Sequence, residues 1–124
     1  PSDAPVLFQI LYTEADPVKF ALARKNQVPL LDLSNGGIGF AVKSTKENAK
    51  LSKGQIIEIE IDFPILIKPV RLSVEIRWRK KMDNKKIFQL GVKFHKPSKS
   101  ILRTINKLID YILTRPEVWQ LEEK

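Results

Sequence analysis

The sequence predicts a mainly β fold: a small antiparallel barrel of six or so strands, followed by one amphipathic helix at the C-terminal end. Three observations predict it. Apolar and polar residues alternate from Ile57 to Phe63 and again from Leu72 to Trp78, the period of two expected of a half-buried strand. Turn formers punctuate the chain at strand-length intervals, at Pro64, at Pro69 and through Met82-Asp83-Asn84-Lys85. After Pro97 the apolar period lengthens to that of a helix. With 124 residues, 43% of them hydrophobic, the chain is long enough to bury one core without staples. A single domain over 1–124 is expected, with strands across about 6–94, a helix across about 98–115 and a short tail, 116–124.

Val6 to Tyr12 is an apolar run and reads as the first strand, ended by the turn Glu14-Ala15-Asp16-Pro17. A second strand is expected to start near Val18-Lys19-Phe20. Arg24-Lys25-Asn26-Gln27 breaks the apolar pattern, Val28 to Leu31 resumes it, and Ile38 to Val42 forms a further strand beyond a polar turn. Lys43 to Lys53 is lysine-rich without an apolar period and reads as a surface loop. Next, Ile57, Ile59, Ile61 and Phe63 face inward, with Glu58, Glu60 and Asp62 outward. Leu72, Val74, Ile76 and Trp78 repeat the pattern, with Ser73, Glu75, Arg77 and Arg79 outward, which makes Trp78 a core residue rather than a stacking platform. Phe88, Leu90, Val92 and Phe94 supply the inward face of a strand that closes a hairpin with it. Pro97-Ser98 opens the helix with an N-cap, and Ile101, Ile105, Leu108 and Ile112 form its stripe, widened by Leu102, Ile109 and Leu113. Pro116 is the expected stop, and the helix is expected to cover an open end or flank of the barrel.

The formal net charge is +8, from 22 Lys+Arg against 14 Asp+Glu, which favours an anionic partner at long range. There is no cysteine and His95 is the only histidine, so thiolate chemistry and the usual metal-ligand sets are excluded. No Gly-rich phosphate loop of the P-loop type is present either, and neither an enzyme nor a resident cofactor or metal is expected. No apolar run is long enough for a membrane span and nothing reads as a signal peptide, so a cytoplasmic location is expected. Arg77 to Lys86 is a basic hairpin tip without interleaved aromatics, which reads as a solvated turn rather than a specific nucleic-acid track.

One segment stands out, Asp32-Leu33-Ser34-Asn35-Gly36-Gly37, set between two apolar runs. On an extended backbone Asp32 and Ser34 share a face, and the glycines permit positive φ and close approach to the main chain. The same residues also fit a plain hairpin turn at Asn35-Gly36. In its wider context the segment resembles the second signature of the PilZ domains: Asp or Asn, any residue, Ser, two further residues, then Gly. Leu51-Ser52-Lys53-Gly54-Gln55-Ile56-Ile57 resembles that family's entry to its middle strand, and Arg77-Trp78 with Phe88-Gln89-Leu90-Gly91-Val92-Lys93-Phe94 resembles its late hairpin.

The resemblance implies a receptor for the bacterial second messenger cyclic di-GMP that transmits occupancy to a partner protein or a fused domain. It implies roles at four positions. Asp32 accepts from a guanine Watson–Crick edge, Ser34 bonds a phosphate or a guanine edge, and Gly36 or Gly37 offers backbone N–H groups. The family's first signature, two arginines separated by three residues, has no counterpart between Asp3 and Gln9, where the spacing places it. The sequence therefore reads either as cut just upstream of Pro1 or as a degenerate member. Arg24 and Arg77 are the expected substitutes. The alternative is a degenerate domain that binds no nucleotide and acts as a protein-protein interaction module; a weaker one is a basic barrel that binds nucleic acid nonspecifically.

Overall fold

A computed structural model describes residues 5–114. Six strands, β1 (Val6–Leu11), β2 (Gln27–Leu33), β3 (Gly37–Lys43), β4 (Ile56–Asp62), β5 (Val70–Lys81) and β6 (Ile87–Phe94), close into a barrel in the order β1-β2-β3-β6-β5-β4. Two helices accompany it, α1 (Pro17–Ala23) and α2 (Lys99–Leu113). The alternation builds the interior as expected: Phe8, Ile10, Val28, Leu30, Phe40, Ile59, Ile61, Val74, Ile76 and Leu90 are all buried in one cluster. Four of the strand pairings are antiparallel, but β1 runs parallel to both its neighbours, β2 and β4.

The parallel step from β1 to β2 needs a crossover, and residues 17–23 supply it as a helix, not as the expected second strand. The physical reason lies in Asp16-Pro17. Asp16 caps the helix by accepting from the Val18 N–H at 2.9 Å, and proline at the first helical position has no N–H to leave unsatisfied. Ala21 then packs on the outward-facing Ala41 and Ile87, with Val18, Leu22, Leu31 and Met82 around them, so this part of the outer wall is a second small core.

Residues 43–53 are not simply a surface loop. A 3-10 turn, Asn48–Lys50, delivers Leu51 into the main core, and the Arg79 guanidinium donates to the Ala49 and Leu51 carbonyls, each at 3.1 Å. This segment closes the end of the barrel where β3 and β5 finish.

The opposite end is closed by α2. The Ser98 hydroxyl accepts from the Ile101 N–H at 3.1 Å, and Ile105, Leu108 and Ile112 join the barrel core. Tyr111 meets Tyr12 and Phe63, which follow β1 and β4, with ring centroids 5.4 and 5.9 Å away. Ser98→Ala is expected to lower stability by about 1 kcal/mol, read from the denaturation midpoint; an unchanged midpoint contradicts the cap. The expected stop at Pro116 and the tail lie outside the described residues. Among the described residues no helix is long and apolar enough to cross a membrane.

Candidate functional site

Two of the barrel's three register shifts shape this part of the outer wall. Between β5 and β6, Ile76 pairs with Val92 and Trp78 with Gly91, which leaves Arg77 as an extra residue. Directly opposed residues share a face, so Trp78 turns outward with Gly91, and it is 43% exposed. This corrects the expectation of a core tryptophan: strict alternation fails at the bulge. Arg79 falls opposite the inward Leu90, and its guanidinium lies 4.6 Å from the Phe88 ring centroid, instead of standing on the outer face. The second shift lies between β2 and β3, where Leu30 pairs with Phe40 and Asp32 with Gly39.

Gly39 in turn pairs with Gly91. One row therefore crosses four strands: Asp32, Gly39, Gly91, Trp78. The two central glycines leave room for the side chains beside them. A Cβ at Gly39 would lie 2.7 Å from Asp32 Oδ1 and 3.1 Å from Gln89 Nε2, and a Cβ at Gly91 would lie 2.0 Å from Trp78 Cε2. The carboxylate and the carboxamide thus occupy the space over Gly39, and the indole occupies the space over Gly91. In the adjacent row Gly37 pairs with Lys93, which pairs with Glu75; Glu75 holds Arg77 in an ion pair at 3.0 Å.

The β2–β3 turn is tied to itself. The Ser34 N–H donates to the Gly37 carbonyl at 2.9 Å, and the Ser34 hydroxyl accepts from both the Gly36 and the Gly37 N–H at 3.3 Å. Those N–H groups already have a partner within the turn, and neither glycine has positive φ. Gly37 is required for a different reason, the close approach of β3 to β6, where a Cβ would lie 2.1 Å from the Val92 carbonyl oxygen.

The structure brings Asp32, Ser34, Gly37 and Arg77 to one shallow depression of about 170 Å³, together with Trp78 and Gly91. Gly36 stands at the tip of the turn. Arg24 is not in this group: it precedes β2 at the strand's far end, and its guanidinium stacks 4.1 Å from the Phe20 ring centroid. Sequence reasoning missed Gly39, Gln89, Gly91 and Lys93, and it turned Trp78 the wrong way. The outward phase of Gln89, Gly91 and Lys93 was readable from the alternation of β6, and a glycine inside a strand is a sign of close approach.

The family model of the PilZ domain matches residues 17–112, a span that includes the Asp32 to Gly37 turn and the whole row from Asp32 to Trp78. The chain belongs to the PilZ domain family. PilZ domains form a family of cyclic di-GMP-binding signalling modules, a class of binding rather than catalytic domains. No curated protein matches the chain. In this PilZ domain, no group of three or more His, Asp or Glu residues among the described residues is placed to hold a metal ion.

The packing at Gly91 can be tested apart from any ligand. Because the obstacle to a Cβ there is the end of an exposed side chain, Gly91→Ala is expected to swing the indole away at a stability cost of only about 1 kcal/mol. The readout is tryptophan fluorescence in a Trp119→Phe background, where Trp78 is the one emitter and should shift toward a free indole in water; an unchanged spectrum contradicts the packing.

Proposed function

We propose that this PilZ domain binds cyclic di-GMP against the row Asp32, Gly39, Gly91 and Trp78, and passes occupancy to a partner protein or a fused domain. The reading makes it a cytoplasmic binding module and not an enzyme. The observation that carries it is the row in which Gly39 and Gly91, without side chains, let the Asp32 carboxylate and the Trp78 indole lie over the strands on one depression with Arg77. A planar guanine suits such a shelf. Its ring stacks on the Trp78 face, and its N1–H and N2–H donate to the two oxygens of Asp32. Arg77 and Lys93, both exposed beside the row, meet the phosphates. Arg77 exchanges its contact with Glu75 for the ligand at small cost, since an exposed ion pair of this kind contributes little.

In this reading Ser34, Gly36 and Gly37 act by holding the turn that carries Asp32, and Arg24 acts in the α1 packing. Isothermal titration of the chain with cyclic di-GMP tests it. Binding at about micromolar affinity is expected, weakened roughly tenfold or more in both Asp32→Ala and Trp78→Ala.

A second reading, a protein-interaction module without nucleotide, is favoured by exposed apolar side chains. Leu113 on α2 is 69% exposed, and Ile67 in the β4–β5 loop is fully exposed. Two further apolar residues that follow α2 in sequence, Val118 and Trp119, lie outside the described residues. Absence of heat with cyclic di-GMP in the parent chain selects this second reading.

A further inference from the structure

The positive charge of this chain is gathered at one end of the barrel. Segments 24–26, 43–55 and 79–86 together hold eleven Lys and Arg and two Asp and Glu; the remainder of the chain holds eleven and twelve, and is close to neutral. The topology brings the three segments together. They lie where β2 and β6 begin and where β3 and β5 end, on the side away from α2 and from the β2–β3 turn. Nearly all of these basic residues are exposed, and neither of the ion pairs found among the described residues lies there.

A cavity of about 830 Å³ opens at the turn of the β5–β6 hairpin, with Ser44, Arg79, Lys80, Lys81, Lys85 and one acidic side chain, Asp83, in its lining. It offers an anionic headgroup several cations and a hydroxyl. A second cavity, of about 460 Å³, includes Lys25 and Lys43 on the same end. Exposed Ile56, at the start of β4, and Leu7, near the start of β1, border this surface.

We propose that this basic end docks on an anionic lipid bilayer. The charges are spread over the end of a barrel, which suits a planar array of headgroups. Nucleic acid is disfavoured on two counts. The three segments contain no Phe, Tyr or Trp on which bases could stack. Their two arginines, Arg24 and Arg79, are both stacked on rings of the fold itself, which leaves lysines, point charges without the planar fork that reads base edges. A bilayer asks for neither device. Each lysine that reaches an anionic leaflet strengthens adsorption by about fivefold. In this orientation α2 and the β2–β3 turn face water.

The test is co-sedimentation of the full chain with vesicles of phosphatidylcholine containing about one-third phosphatidylglycerol, against vesicles of phosphatidylcholine alone and against duplex DNA of equal phosphate concentration. Expected is binding to the anionic vesicles that disappears at about 0.5 M salt, weaker binding to the duplex, and none to the zwitterionic vesicles. The double variant Lys80→Glu, Lys81→Glu should lose at least twentyfold in vesicle affinity, while Lys99→Glu, Arg103→Glu on α2 stays within about twofold. Circular dichroism checks that both variants are folded. Tighter binding to duplex DNA than to the vesicles, equal binding to zwitterionic vesicles, or an unaffected folded Lys80, Lys81 variant each overturns the proposal.

Discussion

Gly37→Ala is expected to destabilise the domain by about 3 kcal/mol, at the upper end of what overpacking costs. The added Cβ would lie 2.1 Å from the Val92 carbonyl oxygen, 3.2 Å from its carbonyl carbon and 3.3 Å from the Lys93 Cα. All three are backbone atoms of β6, held in a continuous ladder that pairs Gly37 with Lys93 and Ile38 with Val92. They cannot yield as a side chain would, so β3 must separate locally from β6. Conformational strain plays no part, because φ at this residue is not positive. Gly36→Ala is the control: a Cβ there meets nothing within 4 Å, and a change of under about 0.5 kcal/mol is expected. Equilibrium denaturation in urea compares the two. Near-equal midpoints would refute the close-approach account of why the signature ends on glycine at position 37.

Leu108→Ala is expected to cost about 2–5 kcal/mol, the range for a large side chain removed from a closed core. Leu108 has no exposed surface and lies in one cluster with the barrel residues, between Ile105 and Ile112 along the same helix stripe. It is part of the plug at the end where β1 and β4 finish, so a void there removes contacts from the barrel interior as well as from the helix. Leu113→Ala, two-thirds exposed on the same helix, should change stability by under about 0.5 kcal/mol. If Leu108→Ala unfolds within 1 kcal/mol of the parent, α2 does not fold cooperatively with the barrel.

Much of the candidate site is legible in the sequence, and its centre is not. Asp32, Ser34 and Gly37 stood out because a short polar segment with a terminal glycine between apolar runs is unusual, and the structure places all three beside Arg77. Trp78 was misread because alternation has no memory of a bulge: one extra residue, Arg77, reverses the phase of everything after it. Arg24 is near Asp32 in sequence but not in space. The intervening strand, rising about 3.3 Å per residue, carries the two apart.

The sequence by itself determined the number and order of the later strands, the inward residues of β4 and β6, and the capped helix α2. Those features follow from local periodicity and local hydrogen-bonding chemistry, which each segment carries whatever surrounds it. Only the tertiary structure decided that β1 runs parallel to both neighbours, that residues 17–23 cross the outer wall as a helix, and that Asp32, Gly39, Gly91 and Trp78 form one row. Register between strands distant in sequence is set by barrel closure, the bulges that permit it and the backbone distances that only glycine tolerates, and none of these has a local signature strong enough to read beforehand.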